Sequence, residues 1–274
     1  MLRLQALALI VGGLVALPAC TFGMNYGGDT HGLERQSIPV GEDGARQLSY
    51  LSAGHRSQPR VIFIHGSPGR ATGYVSYLHD PVDGHQVIAV DRLGYGESGG
   101  AAVTSLEEQA AAVAPLLVQR DGRWPILVGH SLGGPIACRL AADQPGKVGG
   151  LIVAGGALDP GLEEIRWYNR VMATPIVNLT AHEKLRVSNR EILATRSELE
   201  LLAPLLATIR CPIVIVHGTQ DSLVPYDNVG FMLDNFSGSQ QVKVVTLYGE
   251  DHFITREREE EIRDSIDDLR EMLR

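Results

Sequence analysis

The chain has 274 residues, with 24 Lys and Arg against 32 Asp and Glu, a formal net charge of −8; 44% are hydrophobic and 20% charged. That balance excludes disordered and fibrous classes, and the length suffices for one large α/β domain with a sizeable core, or two small ones. The acidic surplus, with no Lys/Arg-rich stretch, argues against a nucleic-acid partner, and the three cysteines Cys20, Cys138 and Cys211 are too scattered for a disulfide framework or a four-cysteine zinc site.

Residues 1–20 read MLRLQALALIVGGLVALPAC. Arg3 precedes an apolar run from Ala6 to Leu17 that is shorter than the roughly 20 residues of a bilayer-spanning helix but suits the apolar region of a secretory signal. Leu17 occupies a place where an ordinary cleavage site after Ala19 wants a small residue. Leu17-Pro18-Ala19-Cys20 instead resembles a bacterial lipobox. That resemblance implies a signal peptide over residues 1–19, lipidation of Cys20, and an exported, membrane-anchored lipoprotein of the cell envelope. Thr21 after the cysteine points to the outer membrane. Residues 20–43, rich in Gly and polar side chains, read as a flexible tether to a domain over 44–274.

Within that domain short β-branched runs recur at Val61–Ile64, Val87–Val90, Ile126–Val128, Leu151–Val153, Ile213–Val216 and Val242–Leu247. Most are continuously apolar, as parallel strands buried on both faces require. Ser105 and Glu108 form a capping box before a helix carrying Ala110, Val113, Ala114 and Leu117, which Pro115 should kink. Ile262, Ile266, Leu269 and Leu273 form one stripe of a C-terminal helix over 257–274. The βαβα rhythm predicts one mostly parallel, doubly wound α/β sheet. Residues 158–205 interrupt it and read as short helices, a cap inserted over the end of the sheet.

Gly129-His130-Ser131-Leu132-Gly133 follows the run Ile126–Val128 and opens a helix from Pro135. This is a G-x-S-x-G nucleophile elbow in strand–turn–helix context, which would expose the Ser131 hydroxyl above the sheet. A serine hydroxyl needs a base, and the base an orienting acid. With the chain order nucleophile, acid, histidine, His252 after the last strand is the candidate base, ahead of His182 and His217. His217 reads as a structural histidine. His182-Glu183-Lys184-Leu185-Arg186 lacks the second histidine of a zinc-protease helix. His130 adjoins the nucleophile, but alternation along a strand would turn it away. Asp221, in the loop after Ile213–Val216, is the candidate acid, with Asp159 as the competing position. Glu250 and Asp251 should shape the histidine loop. The oxyanion of the transition state needs backbone donors: the N–H of Leu132, and that of Ser67 in His65-Gly66-Ser67-Pro68-Gly69 after Val61–Ile64.

Together, His65–Gly69, Asp91–Ser98 (DRLGYGES), Gly129–Gly134, His217–Asp221 and His252 resemble the α/β-hydrolase family in order and spacing over residues 45–274. The resemblance implies the α/β-hydrolase fold and a serine hydrolase acting on a small-molecule acyl substrate through an acyl-enzyme. A carboxylesterase without metal or organic cofactor fits best. Ser131 in place of Asp at the elbow speaks against epoxide hydrolase and haloalkane dehalogenase chemistry. An amidase, a thioesterase, an acyltransferase or a lipid-anchored, non-catalytic binding protein on the same fold remain alternatives.

Gly94-Tyr95-Gly96-Glu97-Ser98-Gly99 also matches G-x-G-x-x-G. A dinucleotide fingerprint, however, runs directly into a helix, whereas the next helix cap here is Ser105. Cys138 and Cys211 read as buried small hydrophobes. In the cap, Leu158, Leu162, Ile165, Trp167, Tyr168, Val171, Met172, Ile176 and Val177 either pack the cap onto the sheet or line a partly apolar acyl site.

Overall fold

A computed structural model describes residues 28–41, 44–165, 167–175, 177 and 181–273. The signal peptide and Cys20 expected from the sequence lie outside these residues.

Eight strands form one sheet: β1 Glu34–Val40, β2 Arg46–Ala53, β3 Arg60–Ile64, β4 Gln86–Val90, β5 Ile126–His130, β6 Gly150–Ala154, β7 Ile213–Gly218 and β8 Val242–Leu247. Their order is β1-β2-β4-β3-β5-β6-β7-β8. The pairs β1–β2 and β2–β4 are antiparallel, and every other neighbouring pair is parallel. Among the described residues the α-helices include α1 Val75–His79, α2 Leu106–Val113, α3 Gly133–Asp143, α4 Trp167–Met172, α5 Glu183–Leu206, α6 Asn228–Asn235, α7 Ile254–Glu257 and α8 Glu259–Met272.

Strand periodicity divides the core in two. Ile62, Ile64, Ile88, Val90, Leu127, Leu151, Val153, Ile213 and Ile215 face a layer containing Leu106, Ala110 and Val113 of α2, Ile136 and Leu140 of α3, and Leu199, Leu202 and Leu206 of α5. The alternate residues Val61, Phe63, Val87, Ala89, Ile126, Val128, Ile152, Val214 and Val216 face Tyr77 and Leu78 of α1 and Ile262, Ile266 and Leu269 of α8. This is the doubly wound α/β-hydrolase sheet, covered on both faces.

Several elements depart from the sequence reading. Residues 34–40, expected in the tether, form edge strand β1, where Pro39 is tolerated because an edge strand can spare an N–H. Pro115 does not kink a helix. α2 ends at Val113, and Pro115 sits inside a following 3₁₀ turn, Ala114–Leu116, where its missing N–H costs little. Ser105 does cap α2, its side chain accepting from the Glu108 N–H. The adjacent Leu106 N–H donates to Glu198 of α5 at 2.8 Å, tying α5 to the start of α2. The segment read as a cap of short helices instead carries one 24-residue helix, α5, with Pro204 in its last turn, and the second half of this cap helix packs into the core through Leu199, Leu202 and Leu206. At the C-terminus a short α7 precedes α8, and Leu273 lies beyond the buried stripe, exposed.

Candidate active site

The elbow forms where β5 runs into α3. Ser131 has φ +53°, a left-handed conformation that Asp121 alone shares among the described non-glycine residues. A β-carbon at Gly129 would collide with the carbonyl of Gly133, and one at Gly133 with the carbonyl of Ile64, so the turn closes only with glycine at both places. The Ser131 N–H donates to Ala154 at the end of β6 (3.0 Å), and Ser131 O accepts from the Gly134 N–H (2.8 Å). Leu132 caps the start of α3, where first-turn N–H groups have no partner within the helix. Ser131 is half-buried.

Two loops beyond β7 and β8 bring Asp221 and His252 together. The backbone of Gly218 packs so closely on the Glu250 and Asp251 carbonyls that no side chain fits there. His252 Nδ1 donates to Asp221 Oδ2 at 2.8 Å, and both side chains are buried. Asp221 Oδ1 accepts from the N–H groups of Leu223 (3.0 Å) and Val224 (2.8 Å). With the ionised carboxylate accepting at Nδ1, the imidazole presents Nε2 as a lone pair. Gly155, just past β6, lies directly under the pair: a β-carbon on it would stand 3.4 Å from Asp221 Oδ2 and 3.5 Å from His252 Nδ1. Ser131 therefore bonds to the residue next to the one that floors the Asp221–His252 pair. Ser131 Oγ makes no hydrogen bond among the described residues; such contacts commonly tighten only with substrate bound.

Three neighbours steady this pair. Asp251 Oδ1 accepts from the N–H of His252 (2.9 Å) and of Ser222 (2.8 Å). His217 is fully buried, its Nε2 donating to Val224 O at 3.0 Å and lying 3.6 Å from Asp221 Oδ2. Against the alternation argument, His130 does reach the site. Its Nε2 donates to the His252 carbonyl at 2.9 Å, and the two rings lie 4.9 Å apart. The strand ends at His130, so the two-residue rule does not carry into the left-handed turn. Burial, helped by nearby His252, pushes the His130 imidazole down to about 3, so it stays neutral.

The loop after β3 faces the elbow. A β-carbon on Gly66 would lie 2.7 Å from Ser131 Cβ and 3.1 Å from its Oγ. The Gly66 carbonyl accepts from His65 Nδ1 (2.7 Å) and Arg92 Nη2 (2.9 Å). In a planar trans peptide the N–H opposes the C=O, so these bonds aim the Ser67 N–H away from Arg92. His65 Nε2 accepts from the Arg92 N–H (3.1 Å); burial, then the Arg92 charge, holds His65 well below its ordinary value.

Other candidates are placed elsewhere. Asp159 caps a 3₁₀ turn through the Gly161 N–H, and His182 caps α5 through the Lys184 N–H. Glu250 pairs with Arg258. Cys138 is buried in the core. The Asp91–Ser98 loop folds on the Asp91 carboxylate, which accepts from the Ala71 and Glu97 N–H groups and from Arg35, and Gly96 leaves no room for a side chain against it. Of the cap residues, Leu158 joins the core, but Ile165, Trp167 and Val171 are exposed. Among the described residues no group of three or more His, Cys, Asp or Glu could hold a metal ion, and no helix is long and apolar enough to cross a membrane.

A nucleophile-type elbow at the carboxyl ends of a parallel sheet, with a loop-borne histidine and acid beside it, defines the class as α/β hydrolase. Residues 61–265 match the profile of the alpha/beta hydrolase family, and the chain belongs to that family. It is 26% identical over 239 residues to a 2-hydroxy-6-oxononadienedioate/2-hydroxy-6-oxononatrienedioate hydrolase of Burkholderia vietnamiensis, covering 72% of this chain and 82% of that one. It is 35% identical over 109 residues to an sn-1-specific diacylglycerol lipase of Mus musculus, covering 39% of this chain and 36% of the other. The chain spans less than two fifths of the length of five of the curated relatives it matches. The solved epoxide hydrolase VrEH1 from Vigna radiata shares the fold at TM-score 0.69 and 15% identity, over 89% of this chain and 99% of that one.

Proposed function

We propose that this hydrolase is a serine carboxylesterase that cleaves an ester, or a related acyl bond, through an acyl-enzyme. The observation that carries the reading is the buried 2.8 Å bond from His252 to Asp221 beside a serine held in the left-handed elbow. Ser131 Oγ attacks the acyl carbonyl carbon as His252 Nε2 takes its proton, and Asp221 Oδ2 keeps Nδ1 protonated and stabilises the imidazolium. The N–H groups of Leu132 and Ser67 receive the oxyanion. His252 then returns the proton to the leaving alkoxide, the acyl-enzyme forms, and water activated by His252 releases the acid. No step calls on a metal or organic cofactor. A p-nitrophenyl ester series tests the reading: turnover at some chain length, abolished in Ser131→Ala, supports it. No turnover at any length in protein that reacts with a fluorophosphonate at Ser131 would defeat the ester assignment. No reaction of folded protein would favour a non-catalytic binding role.

The Leu17–Cys20 lipobox motif supports a second element of the proposal: export, lipidation of Cys20, and attachment of the enzyme to a cell-envelope membrane. Incorporation of a labelled fatty acid into the wild type, lost in Cys20→Ser, is the expected result. Equal labelling of both would refute it.

A further inference from the structure

A polar network ties the cap helix to the oxyanion loop. Arg92 and Glu191 are both almost wholly buried, at 1% and 2% side-chain exposure. Arg92 Nη1 donates to Glu191 Oε1 (2.7 Å), and Nη2 is shared between Glu191 Oε2 (3.1 Å) and the Gly66 carbonyl (2.9 Å). Tyr95 Oη donates to Glu191 Oε2 at 2.6 Å and hydrogen-bonds Ser67 Oγ at 2.9 Å. Ser188, one turn before Glu191 on α5, hydrogen-bonds the same Ser67 Oγ at 3.0 Å. Both ends of Ser67 are thereby held: its peptide N–H through the Gly66 carbonyl, its side chain through Tyr95 and Ser188.

Stability alone gives a poor account of this arrangement. A buried ion pair recovers its desolvation cost only when every proton is satisfied, and a hydrophobic pair of similar volume often does as well or better. Here Arg92 Nε is buried with no partner, while Nη2 is divided between the carboxylate and Gly66. The bond that an apolar pair could not replace is the one to the oxyanion loop.

We propose that Glu191 is a positioning residue: acting through Arg92 and Tyr95, it fixes the direction of the Ser67 N–H, so that seating of the cap sets the strength of the oxyanion site. The inference deepens the serine-hydrolase reading and rests on it. In Glu191→Gln an amide N–H₂ opposes donors from Arg92 or Tyr95, the guanidinium turns, and Gly66 loses one of its two orienting bonds, keeping the shorter one from His65 Nδ1. The double replacement Arg92→Met with Glu191→Met removes the same bond without leaving a lone buried charge.

The test measures ester turnover per competent site, counted by end-point fluorophosphonate labelling, and inhibition by a trifluoromethyl ketone, whose hemiketal oxygen occupies the oxyanion position. Both variants should lose about 10–100-fold in kcat, somewhat less than outright loss of a donor. KM should stay within about threefold, and ketone affinity should fall in proportion to kcat. A merely structural role would lower melting temperature and the count of sites and leave kcat per site and ketone affinity unmoved. That result overturns the proposal. Tyr95→Phe, which removes one hydroxyl, decides if neither variant folds: a severalfold drop in kcat alone supports the coupling, and an unchanged kcat refutes it. Full turnover in Ser131→Ala would instead refute the serine-hydrolase reading beneath it.

Discussion

Replacing Asp221 with Asn keeps the volume and changes one property, the ability to accept on both oxygens. In the wild type Oδ1 takes two backbone N–H bonds, from Leu223 and Val224, and Oδ2 takes the His252 Nδ1 proton. The asparagine must keep its one oxygen on the two backbone donors, because the flipped amide would face both with N–H₂, at about 1–3 kcal/mol for each donor left unmet. The amide nitrogen then points at His252 Nδ1, which can only accept from it. The imidazole shifts its proton to Nε2 and loses the lone pair that takes the Ser131 proton. With geometry intact and the tautomer wrong, kcat on an activated ester should fall about 10⁴-fold, with the circular dichroism spectrum unchanged. A folded Asp221→Asn enzyme keeping more than about a tenth of wild-type kcat, a loss far below that scale, would refute the reasoning.

Other expectations follow from the same geometry. Gly66→Ala puts a β-carbon 2.7 Å from Ser131 Cβ, so the oxyanion loop must back away; esterase assays should register a loss on the order of 10²–10³ in kcat. Phe63→Ala empties a fully buried site where the ring packs 4.9 Å from Tyr74 and 4.5 Å from Tyr77. Urea unfolding should record about 3–5 kcal/mol of destabilisation. His130 is lowered to about 3, chiefly by burial, and His65 and His217 are lowered also, burial again leading. Each therefore takes up a proton at lower pH when folded than when unfolded, where it titrates near about 6.5. Their contribution is thus full above about pH 6.5 and is lost as pH falls toward the folded values, at most about 1.4 kcal/mol per pH unit for each histidine. Urea midpoints taken between pH 7.5 and 4.5 should decline accordingly, and a flat profile would contradict the burial argument.

The central strands are legible in the sequence because each is buried on both faces, so Val61–Ile64 or Ile213–Val216 can only be apolar throughout. Strand β1 is not, because an edge strand of mostly exposed and half-buried residues carries no such constraint. α5 hides for a related reason: Ser188, Asn189, Glu191 and Thr195 are buried by polar partners rather than by apolar contact, and no periodic hydrophobic signal marks that half of the helix. For the candidate site, elbow chemistry and chain order, which are local signals, point to Ser131, Asp221 and His252. The Arg92–Glu191 pair joins residues 99 apart, and only the folded chain reveals it. The alternation rule turns His130 the wrong way because His130 is the last residue of β5 and the left-handed Ser131 follows it at once, although its place in Gly129-His130-Ser131 could prompt the question.

The central claim is that the hydroxyl of Ser131 is made nucleophilic by His252 and Asp221. Peptide mapping by mass spectrometry after fluorophosphonate treatment tests it most directly. The account predicts a single adduct on Ser131 in the wild type and none in folded His252→Ala over the same exposure. An adduct on another residue, or equally fast modification of Ser131 without the imidazole, would contradict it.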